Sequence, residues 1–132
     1  MSIDLGINEV KLDPTSMIVT ETNEKGIIQY ASKDFCKISG FSKEELIGQP
    51  HNMIRHNFMP KAAFADLWST IQSGKKWVGI VINRTKDGGY YWVKAIVFPS
   101  KYVDGSTKYI SVRVMPSQKE IDAVLELYPT MD

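Results

Sequence analysis

Residues 41–60 read FSKEELIGQPHNMIRHNFMP, and the parsing of this stretch decides the fold. Its first half is a short helix with both ends marked. Ser42 and Glu45 have the spacing of a capping box, each side chain returning to the other's backbone amide. Phe41 and Leu46 are placed as a hydrophobic staple, and Gly48 supplies the stop. The second half, Gly48 to Pro60, is irregular. It holds both histidines of the chain, His51 and His56, with Arg55 beside the second. Polar groups gathered between a helix stop and a helix start are where a buried ligand would sit.

Working outward, Pro60 suits the first position of a following helix. Phe64, Leu67, Trp68 and Ile71 then fall at i, i+3, i+4 and i+7, which predicts one buried face, and Gly74 ends the helix. Upstream, Ser32 caps a short turn holding Phe35, Cys36 and Ile38, ended by Gly40. Before it, Met17 to Thr22 is a β-branched run. Asn23-Glu24-Lys25-Gly26 makes a hairpin loop with glycine at the positive φ, and Ile27 to Tyr30 returns as the second strand.

Three more strands follow. Trp77 to Arg84 turns at Lys86-Asp87-Gly88-Gly89 into Tyr90 to Phe98, closed by Pro99. A looser turn at Asp104-Gly105 leads to Tyr109 to Met115, closed by Pro116. Val78, Ile80 and Ile82 lie on one side of the first of these strands, Trp77 and Val81 on the other. A sheet with one wet face alternates more cleanly. Both faces are therefore expected to be covered, one by the helices and one by the N-terminal arm or a partner chain. Ile3 to Leu12 scatters apolar residues without a period, so residues 1–14 read as a cap or arm. At the other end, Ser117 and Glu120 make a second capping box, and Ile121, Val124, Leu125 and Tyr128 form a stripe. So short a helix is marginal alone; it docks on its own sheet, pairs with another copy, or continues into a neighbouring domain.

Composition sets limits on function. The chain has 132 residues, enough for one compact domain. Hydrophobic residues make up 43%, enough for a packed core. A net charge of +1 gives no field for nucleic acid or anionic membrane. No apolar run approaches the ~20 residues of a membrane span, and no secretory leader is visible. The single cysteine, Cys36, excludes an internal disulfide and suits the cytoplasm. Two histidines and one cysteine cannot make a typical zinc site. No nucleophile–histidine arrangement or glycine-rich phosphate loop stands out, so an enzyme is the least favoured class.

The order strand, strand, short helices, three strands resembles a PAS sensor domain, and YASKDFCKISGFSKEELIGQPHNMIRH fits that pattern. More closely, GQPHNMIRH…MPKAAFADLW, GKKWVGIVINRTKDGGYYWVKA and SVR resemble the flavin-binding PAS domain of bacterial aerotaxis (energy-taxis) receptors. The resemblance implies an α+β PAS fold: a five-stranded antiparallel sheet with short helices across one face and an N-terminal cap. It places the PAS domain at residues 15–116 and a C-terminal amphipathic helix or connector at 117–132. It also implies non-covalent FAD, redox or energy sensing, and signalling through a chemotaxis transducer or signalling domain, with a homodimer expected.

Carried over by position, Arg55 and His56 are the polar contacts to the cofactor. Trp68 is on the ligand side of the long helix, Trp77 flanks the flavin from the sheet, and Asn83 points an amide at the ring edge. Alternation puts Trp77, Gly79, Val81 and Asn83 on one side, with Gly79 and Ala95 keeping that side shallow. Two positions depart from the family: Phe58 stands where it has an acidic residue, and Ser32 where it has asparagine. His51 and Ser32 complete the candidate set. Against these readings, a lone arginine is ordinarily a surface residue, His56 can cap a turn, His51 reads as structural, and aromatic residues are mostly core. Haem ligated by His51 or His56 is an alternative, although the last strand lacks the tryptophan of haem oxygen sensors. A cofactor-less dimerisation module, with Phe58 turned inward to fill the pocket, is the other. Light-sensing flavin PAS domains carry a reactive cysteine about where His51 stands; Cys36 lies on an earlier helix, so adduct chemistry is not expected.

Overall fold

The computed structural model describes residues 8–131. Strands β1 (Ile18–Asn23), β2 (Ile28–Ala31), β3 (Trp77–Arg84), β4 (Tyr90–Lys101) and β5 (Thr107–Val114) form one antiparallel sheet in the order β2-β1-β5-β4-β3. Between β2 and β3 come α1 (Lys33–Ser39), α2 (Lys43–Leu46), a 3₁₀ turn at His51–Ile54, and α3 (Lys61–Gln72). After β5, α4 (Gln118–Leu127) runs into a 3₁₀ turn at Tyr128–Thr130. The five-stranded sheet, the α+β class and the helix order all match the sequence reading.

The helix ends form for the reasons the sequence suggests. Both capping boxes are made, at Ser42 with Glu45 and at Ser117 with Glu120. Ser32 accepts from the Phe35 amide to start α1, and Gly40, at φ 79°, ends it. Pro60, expected as the first helical residue, is instead the N-cap, with extended backbone (ψ 147°), and its carbonyl accepts the Ala63 amide. One strand runs longer than expected. β4 continues past Phe98 and through Pro99 to Lys101. β3 pairs with β4 only as far as Trp77 against Val97, so one side of β4 is free beyond that point. A residue without an N–H is tolerated there.

Register sorts the sheet's two faces. Asn83, Val81, Ala95, Val97, Ser111, Arg113, Thr20 and Thr22 share the inner face, beneath α3 and the 48–60 segment. Ile80, Ile82 and Trp92 share the outer face, all 9% exposed or less. α4 of the same chain covers part of the outer face: Ile121, Val124 and Tyr128 are buried, and the Tyr128 hydroxyl donates to the Ile80 carbonyl, while Val78 stays exposed. Of the three fates open to the tail, it takes docking on its own sheet. The N-terminal segment contributes too. The Val10 amide donates to the Tyr90 carbonyl, Tyr90 donates back to Asn8, and Leu12 is buried. Of the expected cap at 1–14, residues 1–7 lie outside the described residues.

Candidate functional site

A cavity of about 360 Å³ opens between the inner face, α3 and the irregular segment. That is within the range of small-molecule sites, roughly 300–1,000 Å³. Its floor is Val81, Ala95 and Val97; α3 supplies Phe64, Leu67, Trp68 and Ile71. Trp68 closes one side, its indole packed against Gly26 of the β1–β2 turn and edge-on to Tyr109 at 5.6 Å. At φ 79° and with that ring alongside, Gly26 has no room for a side chain.

Arg55 lies where the segment meets the sheet. Its backbone bridges to Asn83, its guanidinium lies 4.6 Å over the Phe64 ring, and one nitrogen donates to the Met59 carbonyl at 3.2 Å. The Ile82 amide donates to the Met59 sulfur at 3.4 Å. Residues 55–59 thus lie along the edge of β3 and cover part of a strand edge that would otherwise be open. Opposite Arg55, on the central strand, stands Arg113, 2% exposed. Its Nη2 donates to Thr20 Oγ1 at 2.9 Å and to His51 Nε2 at 2.5 Å. Its guanidinium carbon lies 5.2 Å from the Phe35 ring, which stacks on His51.

This cluster has a defined charge state. Burial, then the adjacent Arg113 charge, push the His51 imidazole down to about 3, so it is neutral and accepts at Nε2. Burial also lowers Arg113, to about 10, and it stays charged at neutral pH. The cavity lining includes Lys25, Arg55 and Arg113 but no carboxylate among the described residues. Asn83 Nδ2, Arg113 Nη1 and the Tyr91 hydroxyl, which stands across the strands from Asn83, are buried without a hydrogen-bond partner of ordinary geometry within the protein. A buried unsatisfied donor costs about 1–3 kcal/mol, more when charged. The arrangement complements a ligand with hydrogen-bond acceptor edges, and a flavin ring has such edges.

Of the sequence-named residues, Arg55, His51, Trp68 and Asn83 are brought together around the cavity. Trp77, His56 and Ser32 are not among its lining residues. The Trp77 indole folds back over Gly79, leaving no space for a Cβ there, and its Nε1 donates to Asp66 of α3 at 2.9 Å. Nδ1 of His56 accepts the Phe58 amide at 3.0 Å, and the ring meets Tyr90 edge-on. Ser32 Oγ accepts the Val19 amide at 3.1 Å as well as capping α1. Phe58 does not fill the pocket. It lies against Trp92 at 6.3 Å and Tyr128 at 6.1 Å, on the other side of the β3 edge. Arg113, Thr20 and Ser111 were not singled out from sequence. The signal was available in YISVRV, where Tyr109, Ser111 and Arg113 alternate with Ile110, Val112 and Val114.

Comparisons with known proteins agree with this fold. The chain is 43% identical over 120 residues to the aerotaxis receptor of Escherichia coli (strain K12), covering 91% of this chain and 24% of that protein. It is 27% identical over 94 residues to the nitrogen fixation regulatory protein of Klebsiella pneumoniae, covering 71% of this chain and 19% of that one. The chain therefore spans a quarter or less of the length of these relatives. Among solved structures, the blue-light photoreceptor domain Aureochrome1 LOV in its dark state superposes with a TM-score of 0.72 at 18% identity, covering 86% of this chain and 85% of that one. Residues 14–114 match the family model described as PAS domain, and the chain belongs to the PAS domain family.

Proposed function

We propose that this chain is a flavin-binding sensor domain that reads redox or energy state and passes it to a chemotaxis-type transducer. The observation that carries the reading is the cationic, carboxylate-free cavity with Asn83 Nδ2 and Arg113 Nη1 unpartnered at its wall. A planar heterocycle with carbonyl and imide edges satisfies both donors. The volume suits a tricyclic ring, with the tail of an FAD molecule leaving past Arg55 and Lys25. Similarity to the aerotaxis receptor supports the same role. Haem is disfavoured by His51, whose Nε2 already faces a guanidinium.

A bound flavin supplies reversible electron uptake, with changed charge and hydrogen bonding at the ring edge. The chain's own residues do the rest. Asn83 holds the edge of the ring, and its backbone is bridged to Arg55. A shift there moves residues 55–59, and Phe58 carries it to Trp92 and Tyr128 beneath α4. Two ligand states that favour different placements of this segment shift the population between them.

On this reading the domain is non-catalytic and cytoplasmic. It works as a homodimer through the part of the outer face that α4 leaves open, where Val78 is 48% exposed. The test is an absorption spectrum of the purified protein after reconstitution with FAD. Flavin bands are expected. A Soret band instead would make it a haem sensor, and a colourless protein would leave only an interaction module.

A further inference from the structure

We infer that Arg113 selects the ligand's ring by binding an acceptor edge on it, while Arg55 and Lys25 hold the anionic tail. This deepens the flavin reading and rests on it.

The three cations of the cavity are graded in depth. Lys25 is exposed, Arg55 is half-buried, and Arg113 is sealed at 2% exposure on the middle strand of the sheet. A guanidinium has five N–H donors in a fixed fork. Thr20 and His51 take bonds from one terminal nitrogen, and the other, Nη1, is buried without a partner. Desolvating a cation costs several kcal/mol unless partners complete it. The neighbouring groups carry no countercharge: Phe35 offers a ring face, His51 is held neutral, and burial pushes the nearby Tyr91 hydroxyl up to about 12, so it stays protonated.

His51 and Thr20 are therefore positioning residues. They hold the fork through Nη2 and leave Nη1 without a protein partner on a residue that lines the cavity. Both Nη2 hydrogens are taken by Thr20 and His51, so the open donors are those of Nη1, and acceptors on a rigid ring edge fit them at this depth. Both a ring carbonyl–imide edge and a phosphate offer such acceptors. The gradient assigns the ring to Arg113, because a solvated diphosphate tail stays near the mouth, where Lys25 and Arg55 stand.

The test uses two probes on the whole chain: lumichrome, which has the ring and its carbonyl edge without a tail, and ADP, which has the diphosphate without the ring. Lumichrome is expected to bind the wild-type protein. Arg113→Met is expected to weaken it at least tenfold and Arg55→Met less than threefold, as read by quenching of lumichrome fluorescence. Arg55→Met is expected to weaken FAD more than it weakens riboflavin. Ligand-free Arg113→Met should unfold at or above the wild-type midpoint, since it removes an uncompensated charge. If that variant fails to fold, Arg113→Lys decides the matter: it keeps the charge without the fork and should still lose lumichrome affinity.

Lumichrome binding unchanged in the folded Arg113 variant overturns the inference while leaving flavin binding intact. Displacement of lumichrome by ADP in wild type, or selective loss of ADP in the variant, assigns Arg113 to phosphate and also overturns it. A wild-type protein that binds no flavin removes the parent reading and this one with it.

Discussion

The two faces of one sheet are built on opposite terms. The inner face buries Thr20, Ser111, Asn83 and Arg113 beneath a cavity, with donors left unsatisfied. The outer face buries Ile80, Ile82 and Trp92 beneath Ile121, Val124 and Tyr128. Alternation along the strands makes this possible, since neighbouring residues point to opposite sides. The outer face supplies stability through apolar burial. The inner face spends part of it on groups that only a ligand completes, the usual trade between stability and function.

The contrast makes its largest prediction at Tyr128. This ring is 7% exposed, and its hydroxyl donates to the Ile80 carbonyl across the interface with α4. Tyr128→Ala removes the ring and leaves a cavity, so a loss of about 3 kcal/mol is expected, read as a lower midpoint in urea. Flavin affinity of the folded fraction should be nearly unchanged. Equal destabilisation of the ligand-free protein by Tyr128→Ala and Arg113→Met would erase the distinction between the faces.

What could be read from the sequence follows the same division. Strand order, both capping boxes and the α3 stripe are local patterns, and each appears as expected. The face shared by Trp77, Gly79, Val81 and Asn83 was legible from period two. The direction of the Trp77 ring was not, because it depends on the space a glycine leaves beside it. Arg113 was overlooked because arginine is rarely fully buried unless paired. Its partners, His51 and Thr20, lie 62 and 93 residues away. Phe58 was read by position as belonging to the pocket. The backbone bridge at Arg55 instead carries it around the edge of β3, a consequence of tertiary pairing that no local pattern encodes.

The second prediction concerns pH and belongs to the inner face. His51 is held at about 3 in the folded protein, against about 6.5 in an unfolded chain. Below pH 6.5 the unfolded state takes a proton that the native state refuses. Stability is therefore fully present above that value and falls as pH drops toward 3, by up to about 1.4 kcal/mol per pH unit. His51→Gln should flatten this slope in urea melts between pH 6.5 and 4.5. An unchanged slope would mean that the imidazole is not held neutral by Arg113 and its surroundings.

The smallest effect tests whether the faces communicate. Phe58 touches Trp92 and Tyr128 by ring contacts alone, at 6.3 and 6.1 Å, with interplanar angles of 79° and 47°. Phe58→Leu keeps apolar volume and removes both contacts. Aromatic pairs of this kind contribute about 0.5–1.5 kcal/mol beyond burial, so a loss near 1 kcal/mol is expected. The informative measurement is coupling. In wild type, flavin binding should slow amide exchange in α4 as well as around the cavity, because residues 55–59 tie Asn83 to Phe58. In Phe58→Leu the protection around the cavity should persist while the change in α4 fades. If α4 responds to flavin equally in both proteins, the signal does not pass around the β3 edge and must cross the sheet through the strands themselves.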